Sequence, residues 1–228
     1  MSRVDRREKV RAPAHPLIAM GDTLCSMLMR ALAAMFFTAT LLAATNCAST
    51  PTVDERSTRR IIPTSDLPKT DIDGRTLPNE KRATVYLFAG PECPISRSYS
   101  PEIARISARD EARGISWIMI FSEYDISADV IRTFQREYSL PLPAVIDPTQ
   151  KFACNLGAQI IPSVVVLDAN HNVMYRGRID DRYKGLGVSY GPPTKRDLAD
   201  VVDAIADGHP LPYASTTAVG CVLPRCAP

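Results

Sequence analysis

Apolar residues along the middle of the chain follow two alternating periods, and these predict a sheet layered with helices. Thr84-Val-Tyr-Leu-Phe-Ala89 is apolar on both faces, the mark of a strand buried at the centre of a sheet. It stops at Gly90-Pro91. Beyond it, Ile95, Tyr99, Ile103 and Ile106 recur at steps of four, four and three, which is one face of a helix. Pro101 falls inside that helix, where proline predicts a kink. Ile115-Ser-Trp-Ile-Met-Ile-Phe121 reads as a second buried strand. Ser127 suits a helix cap, and the pattern behind it predicts a helix to about Ser139 with Val130, Ile131, Phe134 and Tyr138 facing inward. A short, proline-flanked third strand runs from Leu142 to Ile146. Strand and helix alternate this far, which predicts parallel pairing under helical cover.

The second half follows another pattern. Ser163-Val-Val-Val-Leu-Asp168 is a further buried strand. After a turn through His171, Asn172-Val-Met-Tyr-Arg-Gly-Arg178 alternates apolar and polar residues, which predicts a hairpin with a half-exposed outer strand. Residues 180–193, rich in Gly and Pro, read as a loop. Gly185-Leu-Gly187 within it lacks a third glycine and opens no helix, so it is no phosphate cradle. Thr194-Lys-Arg-Asp197 resembles a capping box, and Leu198, Val201, Val202 and Ile205 give the last helix its apolar face up to Gly208. Upstream, Asp71-Ile-Asp-Gly74 is a turn joining two short strands. The order β-α-β-α-β, then β-β-α, is an α/β domain with a mixed sheet over residues 61–208. Residues 209–228 form a cysteine-containing tail.

The 228 residues include a segment that does not belong to this fold. Residues 31–44 are an apolar run of fourteen, shorter than the roughly 20 a membrane span needs. With Arg30 before it, the run fits the core of a secretory signal, and Met27 or Met29 gives a tidier start than Met1. Residues 1–47 are therefore expected to direct export to the periplasm or cell envelope, and 48–60, polar and rich in Ser, Thr and Arg, to form a flexible tether. Ala44-Thr-Asn-Cys47 resembles a lipobox, making Cys47 a candidate for lipid attachment, although Asn46 stands where a small residue is usual. A net charge of +2 points to no nucleic-acid partner.

The candidate chemistry lies at the end of the first strand, in Phe88-Ala-Gly-Pro-Glu-Cys-Pro-Ile-Ser-Arg97. Pro94 suits a first helical position, since its missing N–H is unpaired there anyway. Cys93 then lies at the helix start, where unpaired N–H groups and the helix dipole favour a thiolate. Arg97 falls on the same face and adds positive charge, while Glu92 opposes it.

These residues resemble the thioredoxin superfamily, in its redoxin branch of exported thiol-disulfide oxidoreductases and peroxiredoxins. The resemblance rests on Cys93-Pro94 after the first central strand, on Ile160-Ile-Pro-Ser-Val-Val-Val-Leu-Asp168, and on the outer strand 172–180. It implies a three-layer sandwich, a cis peptide bond before Pro162, and a substrate site of Ile161, Pro162 and Pro94. It also implies a protein disulfide or dithiol, or a hydroperoxide, as the reacting partner, with no cofactor. The chain differs from its relatives at two places. Ser96 replaces the second cysteine of Cys-x-x-Cys, and Gly90 stands where peroxiredoxins carry Thr or Ser. A non-catalytic or copper-binding redoxin module is a further alternative. Yet Arg97 occupies the second copper-ligating cysteine position, and neither His171 nor His209 has a liganding spacing to Cys93, so no metal is expected.

Another thiol must then release whatever Cys93 forms. Cys25 and Cys47 lie in or beside the signal. Cys154, among apolar residues of a short helix, is expected in the core as a free thiol. Cys221 and Cys226 remain, on the tail, and four cysteines past the signal allow three pairings. The thirteen residues from Gly208 to Cys221 reach roughly 40 Å when extended. Gly220 and the family-like Gly-Cys ending make Cys221 the expected resolving residue, with Cys226 as its competitor.

Overall fold

In the computed structural model residues 60–78, 81–189 and 191–226 are described. The apolar run 31–44, Cys25, Cys47 and the tether as far as residue 59 lie outside them. Strand β1 (Ala83–Phe88) is the middle of a five-stranded sheet. Its central place follows from its composition, since a strand apolar on both faces is stable only with cover on both sides. On one side it pairs in parallel with β2 (Ile115–Phe121), and β2 pairs in parallel with β3 (Ala144–Ile146). On the other side β5 (Ser163–Asp168) runs antiparallel to β1, and β6 (Val173–Gly177) antiparallel to β5. The mixed sheet with flanking helices is the thioredoxin-like α/β arrangement.

Helix α1 (Pro94–Glu111) begins with proline at its first turn and runs on through Pro101, which lies on the solvent side. Ile95, Tyr99, Ile103 and Ile106 are all buried on its inner face. Helix α2 (Ala128–Glu137) starts at Ser127, whose hydroxyl accepts from the Val130 amide. Ile131 and Phe134 face the core, but Val130 is 46% exposed, so the apolar stripe is narrower than the pattern predicts. Helix α3 (Lys151–Leu156) is held at its start by Asp147, whose carboxylate accepts from the amides of Phe152 and Ala153. Helix α4 (Asp197–Asp207) ends at Gly208, in the left-handed region at φ +72°. The expected capping box does not form. Arg196 occupies the cap position, and Thr194 turns away to bind the Asp181 carboxylate through its amide and hydroxyl.

Three further segments differ from the sequence pattern. The turn at Asp71–Gly74 is held by the Asp71 carboxylate and a single bridge between Thr70 and Thr76, rather than by two strands. The loop 180–193 contains a small hairpin, β7 (Tyr183–Gly185) with β8 (Val188–Ser189). The tail is not a free arm. At Ser215 it lies alongside Arg176 of β6, with bonds from Arg176 N to Ala214 O and from Thr216 N to Arg176 O. It then forms β9 (Cys221–Val222), antiparallel to β4 (Ile160–Ile161), and a closing 3-10 turn, Pro224–Cys226.

Candidate functional site

Sheet register decides what meets Cys93. Phe88, the last residue of β1, pairs with Ser163, the first residue of β5. The residue before Ser163 is Pro162, and the residues after Phe88 form the turn to Cys93. Two segments some seventy positions apart in sequence are therefore joined through one strand pair. The Ile161–Pro162 bond is cis. The Cys93 sulfur lies 3.5 Å from the Ile161 carbonyl oxygen.

The tail completes the site. Register places Cys221 opposite Ile161 and Val222 opposite Ile160, and the Cys221 thiol donates to the Cys93 sulfur at 3.0 Å. That exceeds a disulfide bond, about 2.05 Å, by roughly 1 Å. Cys93 and Cys221 are free thiols here. Gly220 makes the approach possible, because a Cβ at that position would overlap the Ile161 carbonyl. The requirement is for space against a backbone that cannot yield. Further along, the Leu223 amide donates to the Gln159 carbonyl at 2.8 Å and the Arg225 amide to Gln150 Oε1 at 2.9 Å. The Gln150 Nε2 donates to the Ser122 carbonyl at 3.0 Å, so a buried side chain links the tail to the end of β2. Leu223 is buried, and the Arg225 guanidinium stacks over the Tyr124 ring at 5.3 Å.

Electrostatics separate the two thiols. Burial pushes Cys93 up, but the Cys221 thiol, the Ser96 amide and hydroxyl, and the Ile95 amide outweigh it, and the thiol falls below its ordinary range. Burial pushes Cys221 up to about 11, reinforced by its bond to Cys93 and by the charges of Cys93 and Glu123. Charge thus collects on Cys93 and the proton on Cys221. Glu123 packs beside Gly90, where an added Cβ would lie 2.6 Å from its carboxylate oxygen. Burial and the neighbouring Glu92 raise this carboxyl above the usual range.

Two expected roles require correction. Arg97 does not reach the thiol. It is drawn back to the Pro91 carbonyl and to Glu92, a surface pair with N–O 3.3 Å, and the groups that favour the thiolate are Cys221, Ser96 and Ile95. Cys154 is not a free core thiol. It is half-buried and disulfide-bonded. Ser96 was read from sequence only as the missing second cysteine. Its hydroxyl faces the Cys93 sulfur and also accepts from the Gly90 amide at 3.2 Å, so it braces the turn that carries the thiol. Gln150 and Gln159 have no sequence signal, because nothing local marks a side chain or carbonyl that receives a distant tail. Pro94 lies exposed beside Cys93, and Pro162 is buried. Among the described residues no group of three metal-ligating side chains converges.

No curated protein matches the chain. Among solved structures, an uncharacterised conserved protein from Geobacillus kaustophilus shares 24% identity over 72% of this chain and 90% of its own, with a TM-score of 0.63. A hypothetical protein from Sinorhizobium meliloti shares 21% over 68% of this chain and 87% of its own, with a TM-score of 0.60. The thioredoxin domain of a thiol-disulfide oxidoreductase from Bacteroides vulgatus is more distant, at 12% identity over 65% and 97%, and a TM-score of 0.49. The first two likenesses establish a shared fold. The Redoxin family model matches residues 45–186, more than half of the chain, and the protein belongs to that family.

Proposed function

We propose that the protein is an exported thiol-disulfide oxidoreductase in which Cys93 is the attacking thiolate and Cys221 the resolving thiol. The observation that carries the reading is the 3.0 Å contact between the two sulfurs, with acidity displaced toward Cys93. The Cys93 thiolate attacks one sulfur of a partner's disulfide, forming a mixed disulfide and expelling the partner's other sulfur as thiolate. Cys221 then loses its proton and attacks the Cys93 sulfur. This closes Cys93–Cys221 and releases the partner's second thiol. Two electrons pass from the dithiol to the partner, and an external thiol donor restores the reduced form. The reverse sequence oxidises a partner dithiol through the same atoms.

The test is peptide mapping after reaction with one equivalent of a protein disulfide, followed without reductant. A Cys93–Cys221 bond together with two new partner thiols is the expected result. A Cys93 that stays in the mixed disulfide overturns the resolving role. A stopped-flow comparison with hydroperoxide separates the peroxidase alternative, which requires peroxide to oxidise Cys93 faster than the disulfide does.

Export rests on the sequence before residue 60. Mass spectrometry of envelope protein should show an N-terminus well past residue 40, and a full-length cytoplasmic product excludes it. Lipid on Cys47 is decided separately by fatty-acid labelling.

A further inference from the structure

We propose that Cys154 is bonded to Cys226, and that this staple holds the tail in the position from which Cys221 meets Cys93. Cys154 is in a disulfide, while Cys93 and Cys221 are free thiols. Of the six cysteines this leaves Cys25, Cys47 and Cys226 as partners. The closing turn Pro224–Cys226 lies against α3, the helix that carries Cys154. Two bonds from the tail, Leu223 N to Gln159 O and Arg225 N to Gln150 Oε1, lead the chain to that helix from both of its ends. Cys25 and Cys47 lie outside the described residues, in the segment expected to be the export signal, and Cys226 is the candidate whose backbone is seen beside this helix. Formation of the bond takes two electrons and two protons from the Cys154 and Cys226 thiols. A disulfide-type oxidant accepts them and is itself reduced to two thiols.

The two tail cysteines thereby divide the work. Cys226 is a positioning residue and Cys221 the reacting one. Without the staple, Cys221 sits on a chain end held by the β4–β9 pairing, the bonds from Leu223 and Arg225, and the buried Leu223 side chain. With it, the tail beyond Gly208 becomes a closed loop, and the concentration of Cys221 at Cys93 is set by a short tether anchored at both ends. The staple stands apart from the dithiol reading; the positioning consequence rests on it.

Trypsin makes the assignment direct, because Arg225 separates the two tail cysteines. Complete digestion leaves Cys226 in the tripeptide 226–228, Cys221 in 197–225, Cys154 in 152–176 and Cys93 in 83–97. The full-length protein is first treated with a mild thiol reductant and alkylated. It should then yield peptide 152–176 linked to 226–228, with Cys93 and Cys221 both alkylated. Alkylated Cys226, or Cys154 linked to another peptide, overturns the pairing. The second arm equilibrates wild type and Cys226→Ser with glutathione and reads the Cys93–Cys221 disulfide. The expected change is a fall of about tenfold or more in the equilibrium constant, the scale on which a released tether dilutes its end group. An unchanged constant leaves the pairing and removes the positioning role. A wild type that never closes Cys93–Cys221 in the same titration fails the proposed function instead, whatever Cys154 is bonded to.

Discussion

At the residue scale, Cys93 owes its acidity to donors that can be removed singly. Cys221→Ala deletes the S–H that points at the Cys93 sulfur, and Ser96→Ala deletes a facing hydroxyl. Each should slow alkylation of Cys93 near neutral pH several-fold by raising its pKa toward the ordinary thiol value, while Arg97→Ala should change it little. Iodoacetamide rates followed against pH check all three, and a large loss in Arg97→Ala contradicts the placement of that side chain. The same shifts set how the stability of the reduced protein depends on pH. Cys93 is depressed when folded, so its contribution is present above the unfolded thiol value, about 8.5, and is lost as pH falls through the folded value. Cys221 is raised to about 11, so its contribution is present below about 8.5 and is lost as pH rises through 11. Urea unfolding of the reduced form should therefore show stability rising toward pH 8.5 and falling between there and pH 11. A Cys93→Ala, Cys221→Ala protein should lose the rise toward pH 8.5 and the fall just above it, keeping only the fall above about pH 10 that burial of Tyr86, Tyr99 and Tyr175 produces by raising their hydroxyls.

At the element scale, the tail strand is the feature on which the site depends, and Gly220 is its tightest point. Gly220→Ala places a methyl group against the Ile161 carbonyl oxygen, which β4 and the Pro162 turn hold in place. Overpacking of this kind costs about 1–3 kcal/mol, so the tail should lift from β4 while the five-stranded sheet stays folded. Cys221 would then become alkylated faster and Cys93 more slowly. Equal rates in wild type and variant refute the close packing. The sequence made the main elements legible because each has its own signal. The doubly apolar run Thr84–Ala89 marks a central strand, Pro94 a helix start and Gly208 a helix end. It left β9 illegible, because two residues carry no period, and their strand character comes from Ile160 and Ile161, sixty positions away. The reach of the tail to Cys93 could still be read, from a glycine beside a cysteine and a chain long enough to return. Cys154 misled for a physical reason. A half-buried cysteine among Phe152, Ala153 and Leu156 has the same local pattern whether its sulfur is free or bonded. Thr194 misled similarly, since Ser/Thr-x-x-acid predicts a cap only where no other carboxylate competes, and Asp181 does.

At the scale of the whole molecule, oxidation of Cys93 and Cys221 links residues 128 positions apart. With the Cys154–Cys226 staple in place the loop closed runs through that bond and is about half as long, and closing it removes roughly 4 kcal/mol of chain entropy from the unfolded state in the polymer estimate. The native protein need only bring the sulfurs together by about 1 Å, from 3.0 Å to the bonded distance. Opposing this, the reduced native state gains from the thiolate interactions at Cys93, which oxidation abolishes. Burial of the thiolate cancels much of what its four donors contribute, so these interactions offset the loop term in part. The oxidised protein should therefore unfold at higher denaturant concentration than the reduced one. A thermodynamic cycle supplies a second reading of the same quantity. The stability difference between the two forms must equal the difference between the native and denatured proteins in the free energy of forming the bond against glutathione. Denaturant unfolding of both forms gives one side, and glutathione equilibria in native and denaturing buffer give the other. A reduced form more stable than the oxidised form would mean that the bond strains the site, and the seated tail would then hold the sulfurs close without preparing them to join.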